Sequence, residues 1–196
     1  MDRREFFKHG VSSLKKTVVE KVEKDVNAQA AHWIRPPFAC AEMEFLLSCS
    51  RCKACVEACP YGVIFLLPLR SGVKATGTPA LDLLHKACHL CANWPCVSAC
   101  KPAALYFPDS EDGRPESQLP NLAVARVETA LCLPFKGPEC GACEGSCPVP
   151  GALLWKLGKP TIEAEHCVGC ALCRLACVLE DKAISIHSPY QFHEQH

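Results

Sequence analysis

Apolar residues along this chain come in runs too short to build a large core by themselves. Val63–Leu67, Leu105–Phe107, Leu153–Trp155 and Ile184–Ile186 predict four short strands. A different period governs the N-terminus. There Val11, Leu14, Val18, Val22 and Val26 recur at intervals of three and four, which predicts an amphipathic helix. Lys15, Lys16, Glu20, Lys21, Glu23, Lys24 and Asp25 fill its polar face. No stretch approaches the roughly twenty apolar residues of a membrane-spanning helix.

Cysteine changes the picture. The hydrophobic fraction is 49%, but 17 of the 196 residues are cysteine, so it overstates the aliphatic core. Sixteen of the cysteines fall into four groups of four: Cys49, Cys52, Cys55 and Cys59; Cys88, Cys91, Cys96 and Cys100; Cys132, Cys140, Cys143 and Cys147; Cys167, Cys170, Cys173 and Cys177. Every group keeps three residues before its last cysteine. The first and fourth run C-x2-C-x2-C-x3-C, the spacing that wraps a peptide around an iron–sulfur cubane. Three thiolates on a tight loop reach three irons, and the fourth, about one helical turn on, points to a neighbouring cluster. Pro60 and Pro148 follow the last cysteine of groups one and three. Group two has Pro102 one residue late and group four has Val178.

Two other chemistries compete for so many thiols. A disulfide framework suits small secreted scaffolds, but repeated two-residue gaps within a group fit a shared metal centre better than bridges between distant loops. A zinc ribbon needs two C-x2-C pairs separated by a longer stretch, which groups one and four lack. The clusters must then serve as much of the core, and the cluster-free chain is expected to be largely unstructured.

The four groups mark four copies of one unit: strand, cysteine loop, helical turn, strand. Two units make a ferredoxin domain. The predicted class is α+β, tandem 2[4Fe-4S] ferredoxin-like domains preceded by the amphipathic helix. Intervals between groups are 29 residues from Cys59 to Cys88, 32 from Cys100 to Cys132 and 20 from Cys147 to Cys167. The first and last look like hairpins, and the middle one contains the solvated Pro108–Pro115 loop. Group one therefore pairs with two, and three with four. The expected segments are 1–33 (N-terminal), 34–107 (first domain), 108–123 (linker), 124–188 (second domain) and 189–196 (tail).

Cross-ligation under that pairing predicts four [4Fe-4S] clusters, on Cys49, Cys52, Cys55 and Cys100; on Cys88, Cys91, Cys96 and Cys59; on Cys132, Cys140, Cys143 and Cys177; and on Cys167, Cys170, Cys173 and Cys147. The seven-residue gap between Cys132 and Cys140 is the irregular point. A nested pairing, one with four and two with three, uses the same sixteen ligands.

These residues resemble the NapG and MauM ferredoxin-type proteins and, more loosely, NapF. The likeness runs from about Ile34 to Ile186 and rests on Arg35-Pro36-Pro37, the stretch Cys52 to Tyr61, the Cys88 to Ala104 group, the split third group and Cys167-Val-Gly-Cys170. It implies a four-cluster electron carrier, not an enzyme, between a membrane quinol-oxidising partner and a downstream reductase or dehydrogenase. A cytoplasmic accessory ferredoxin that matures a cofactor-containing reductase is an alternative, and a structural zinc module is another.

Arg3-Arg4-Glu5-Phe6-Phe7-Lys8 is similar to a twin-arginine export signal, and Ala28-Gln29-Ala30 offers a small-residue cleavage site. The apolar region between them is missing. The expectation is therefore a cytoplasmic or cytoplasmic-side membrane-associated protein, with twin-arginine export to the periplasm as the alternative. Equal numbers of acids and bases, 21 each, argue against a nucleic-acid partner. Cys40 is expected to be a buried non-ligand, Trp33, Trp94 and Trp155 to be packing residues, and His187, His193 and His196 to lie on a solvated end. Arg51 and Lys53 beside group one would raise a potential, and Glu139 and Glu144 would lower one, hinting at electron flow from the C-terminal to the N-terminal domain.

Overall fold

A computed structural model describes residues 21–108 and 119–192. In chain order the elements are helix α1 over the described residues 21–30, α2 (Glu42–Ser48), α3 (Ala54–Glu57), β1 (Ile64–Leu66), β2 (Pro79–Leu81), α4 (Pro95–Ser98), β3 (Val124–Val127), α5 (Leu133–Lys136), β4 (Leu153–Lys156), β5 (Lys159–Ile162), α6 (Leu172–Ala176) and β6 (Ile184–His187). Short 3-10 turns cover Leu69–Ser71 and Pro189–Phe192.

The strands form three antiparallel pairs, β1 with β2, β3 with β6 and β4 with β5. Three of the four expected strands are present as β1, β4 and β6. The fourth, Leu105–Phe107, is reduced to one bridge between Leu105 and Ala39, flanked by hydrogen bonds from Cys40 N to Ala104 O and from Tyr106 N to Phe38 O. Prolines explain the shortening: Pro36 and Pro37 cannot donate to a ladder, and Phe38 turns out of the extended region at φ 56°.

Each half holds its two cysteine groups around a hairpin. The 29-residue interval contains β1 and β2, joined through 67–78, and the 20-residue interval contains β4 and β5. The second hairpin turns on Leu157 and Gly158, both at positive φ, 52° and 73°. That backbone matches the right-handed twist of the strands, although it puts a fully exposed leucine in a conformation that favours asparagine or glycine.

One hydrophobic cluster runs through both halves, from Phe45, Leu83 and Leu105 to Val149, Val168 and Ile184, with many cysteines among its members. A second patch joins Ala30, Trp33, Leu67, Ala75 and Ala80 with partly buried Leu46 and Tyr190. Between these lies a buried charge. Arg35 Nε donates to Glu42 Oε2 at 2.9 Å, and its Nη1 donates to Thr78 Oγ1 and to Pro79 O at 2.9 and 2.7 Å. Trp33 Nε1 donates to the same carboxylate at 3.2 Å. Arg35, Glu42 and Thr78 are all buried, and their mutual hydrogen bonds offset the desolvation.

Residues 21–30 are helical, with Val26 and Ala30 buried and Val22 41% exposed. The rest of the predicted stripe, Val11, Leu14 and Val18, lies outside the described residues, as do the twin-arginine motif, 109–118 of the predicted linker, and His193 and His196. His187 differs from the expected solvated end. It belongs to β6, pairs with Val124, and its Nδ1 lies 3.0 Å from Gln191 Oε1. The residues after it are tied back as well: Ser188 Oγ donates to Ala30 O at 3.0 Å and Gln191 Nε2 to Ala31 O at 2.9 Å. Among the described residues no helix is long and apolar enough to cross a membrane.

Candidate metal centres

Three cysteine loops share one backbone device. A left-handed residue sits just before the second cysteine of each group: Arg51 (φ 58°), Leu90 (φ 49°) and Gly169 (φ 70°). A second left-handed residue, Lys53, Trp94 or Ala171, precedes the short helix. These reversals curl each loop so that its cysteines face a common interior. At Gly169 the requirement is absolute, because a Cβ there would lie 2.0 Å from the Ala123 carbonyl oxygen. Group three departs from this pattern. Its seven-residue gap is filled by α5, which ends at Gly137 (φ 114°).

The thiols of the four groups assemble across groups. Cys49, Cys52, Cys55 and Cys100 line one small cavity together with Phe45, Leu66 and Leu105. Cys59, Cys88, Cys91 and Cys96 line another with Val63, Ile64 and Trp94. Cys147, Cys167, Cys170 and Cys173 line a third with Ala125, Val149 and Ile162. Cys132, Cys140, Cys143 and Cys177 come together as the fourth set: Cys143 feels the charges of Cys132, Cys177 and Cys140, and Cys132 those of Cys140 and Cys177. We call these sets A, B, C and D.

Helix geometry explains the exchange. Cys55 lies in α3 and Cys59 just beyond it, so one short helix sends its first thiol to A and the next cysteine to B. Helix α4, packed against α3, does the reverse with Cys96 and Cys100. In the second half α6 carries Cys173 to C and is capped by Cys177, which joins D. The amide of Cys88 donates to the carbonyl of Cys170 at 2.9 Å, so B and C adjoin across the two halves. The sets are thus ordered A, B, C, D.

Burial and mutual proximity disfavour charge on these thiols. Burial, and then the proximity of other thiolates, pushes Cys96 and Cys173 up to about 12. Burial likewise raises Cys55, Cys88, Cys143 and Cys170 to about 11. Packed thiols that cannot ionise alone become thiolates when iron compensates their charge, releasing protons on binding. Cys52 is the contrast: hydrogen bonds from the Ala54 amide and Ser50 lower it, and it is exposed. Among the described residues no group of three or more His, Cys, Asp or Glu is arranged to hold a single metal ion. Thiols spread around a space suit a cluster with one thiolate per iron better than a zinc, whose four ligands lie about 2.3 Å from one point.

Cys40 stands apart. It lines a separate cavity of about 410 Å³ with Trp33, Phe38 and Tyr190, and burial raises it to about 11. Trp33 and Trp94 are buried as packing residues, and Trp94 meets Phe38 edge-on at 5.0 Å. Trp155 is only partly buried, and its indole nitrogen is enclosed without a hydrogen-bond acceptor. Sequence patterns missed the stack of Tyr61 on His89, 3.6 Å between centroids, at the mouth of B.

Comparison with known proteins converges on one family. A 4Fe-4S dicluster domain matches residues 48–104, the stretch that holds groups one and two. The ferredoxin-type protein NapG of Haemophilus influenzae is 36% identical over 166 residues, covering 78% of this chain and 58% of that protein. NapG of Escherichia coli K12 is 36% identical over 165 residues, 69% of its length, and the methylamine utilization ferredoxin-type protein MauM of Methylobacillus flagellatus is 36% identical over 168 residues, 70% of its length. The NapF protein of Escherichia coli K12 is more distant, at 29% over 154 residues. No solved structure matches the chain. An iron–sulfur protein of the ferredoxin type, the chain belongs to the NapG/MauM family.

Proposed function

We propose that the chain is a four-cluster electron carrier, built as tandem ferredoxin-like domains, in which sets A, B, C and D each hold one [4Fe-4S] cluster. The carrying observation is the exchange of cysteines between groups, with Cys100 beside Cys49, Cys52 and Cys55 and Cys59 beside Cys88, Cys91 and Cys96. That exchange is what two-cluster ferredoxin loops require, and the chain repeats it in its second half. When bound, each cluster accepts and gives up one electron with little rearrangement. The protein's part is to fix sixteen thiols, to exclude water with residues such as Val97, Leu105 and Ala171, and to hold neighbouring sets side by side.

In this reading single electrons pass between a quinol-linked membrane partner and a downstream reductase or dehydrogenase, in the cytoplasm or at its membrane face. The ferredoxin-type names of the relatives support the electron-carrying part of that role. The accessory reading, maturation of a reductase, draws on the more distant NapF likeness. Electron flow separates the two. Dithionite-free reduction of the iron-loaded protein by membranes containing quinol supports the carrier, whereas stable association with a cofactor-free reductase and no reduction by quinol supports the accessory role.

A further inference from the structure

We propose that the face around Cys52 is the docking surface for a second redox protein whose own cofactor lies behind an acidic rim. This rests on the electron-carrier reading and adds a partner class and an end of the array to it. Cys52 is the exposed member of the seventeen cysteines, and it belongs to A, one terminus of the ordered sets. Electron transfer between proteins needs close approach of their cofactors, so the terminal set with the exposed thiol is where a partner gains most.

Around it the surface is apolar in a way a free surface does not need. Leu69 is 70% exposed and Val73 83%. Arg51 ties these elements into one face. Lying between Cys49 and Cys52, it donates from Nε to Thr76 O at 3.1 Å, from Nη2 to Lys74 O at 2.8 Å and from Nη1 to Cys49 O at 3.2 Å. The turn that carries Leu69 and Val73 is thereby clamped to the cysteine loop. Exposed apolar residues rimmed by charge are the usual anatomy of a transient redox contact.

Charge selects the partner. Arg51, Lys53 and Lys74 are exposed on this face, with Glu57 as the acid that reaches Cys52. At the other terminus, beside D, exposed Glu139, Glu144, Glu180 and Asp181 outnumber Lys136 and the half-buried Lys182, whose Nζ donates to Cys177 O. Among the described residues, charge is therefore polarised along the array. An acidic protein is steered to Cys52 and repelled from D.

The probe is a strongly acidic flavodoxin, labelled for fluorescence anisotropy and titrated with the full iron-loaded chain at roughly 0.02 and 0.5 M salt. Lys53→Glu with Lys74→Glu is expected to weaken binding about tenfold at low salt, with the difference vanishing at high salt. Glu139→Lys with Glu144→Lys leaves binding unchanged or tighter, and Val73→Ser weakens it at both salt concentrations. Iron content and the visible band of each variant are read alongside. Native chain without iron would overturn the carrier reading itself. Iron-loaded K53E/K74E that binds like the native protein, or equal effects at both ends, would overturn the docking face alone.

Discussion

The amide nitrogen of Cys88 donates to the carbonyl oxygen of Cys170 at 2.9 Å, joining a cysteine loop of the first half to one of the second. It is a backbone bond between residues 82 positions apart (170 − 88), and each partner belongs to a different thiol set. The two halves therefore meet through their cysteine loops, where an ordered array must not break.

Arg174 guards that junction. Its Nε donates to Leu84 O at 3.1 Å and its Nη1 to Ile184 O, one carbonyl from each half. Arg174→Ala is expected to lower stability by about 1–3 kcal/mol, since both carbonyls lose a charged donor. Denaturant unfolding under argon checks the loss, with iron per chain unchanged.

The Arg35–Glu42 pair predicts a non-additive result. Glu42→Ala strands a buried guanidinium and is expected to cost about 3–5 kcal/mol. Replacing both, Arg35→Met with Glu42→Leu, removes the uncompensated charge and should recover much of that loss. Thermal melts of the single and double variants measure the difference.

Gly169→Ala should be among the most damaging small substitutions in the chain. The new methyl group collides with the Ala123 carbonyl, and φ at 70° is strained for any other residue. Since Ala123 N and Leu122 N both donate to Val168 O, the segment leading into β3 cannot move away without losing those bonds. Loss of more than about 3 kcal/mol is expected, seen as reduced soluble yield and iron below the native ratio.

How far these features could be read in advance differs by element. The cysteine groups were legible because cluster ligation fixes spacing locally, and β1, β4 and β6 announced themselves as apolar runs. β2 and β5 were not, because Pro79 and Pro160 disguise them, and each survives only as one strand of an isolated two-stranded pair. β3 was hidden by Arg126, which interrupts its apolar residues. The Arg35–Glu42–Thr78 network joins residues 43 positions apart, which no local pattern reports. Nor could sequence order the sets: the Cys88–Cys170 contact is tertiary.

Cys40 gives the pH-dependent prediction. Burial, with Glu44 nearby, raises its thiol to about 11, above the ordinary value of 9.0. The folded state thus holds a proton that the unfolded state loses first, so Cys40 contributes stability that is intact below pH 9 and lost as pH rises towards 11. Cys40→Ser is expected to flatten that alkaline decline in a melt series while leaving iron content unchanged, since Cys40 joins none of the four sets. A fall in iron would place it among the ligands.

The most direct measurement is iron, acid-labile sulfide and zinc per chain on protein purified without oxygen, with visible spectra before and after dithionite. Four clusters predict about sixteen irons, matching sulfide, and a broad absorption band that bleaches on reduction. About four zincs without sulfide would contradict the account and leave a structural module.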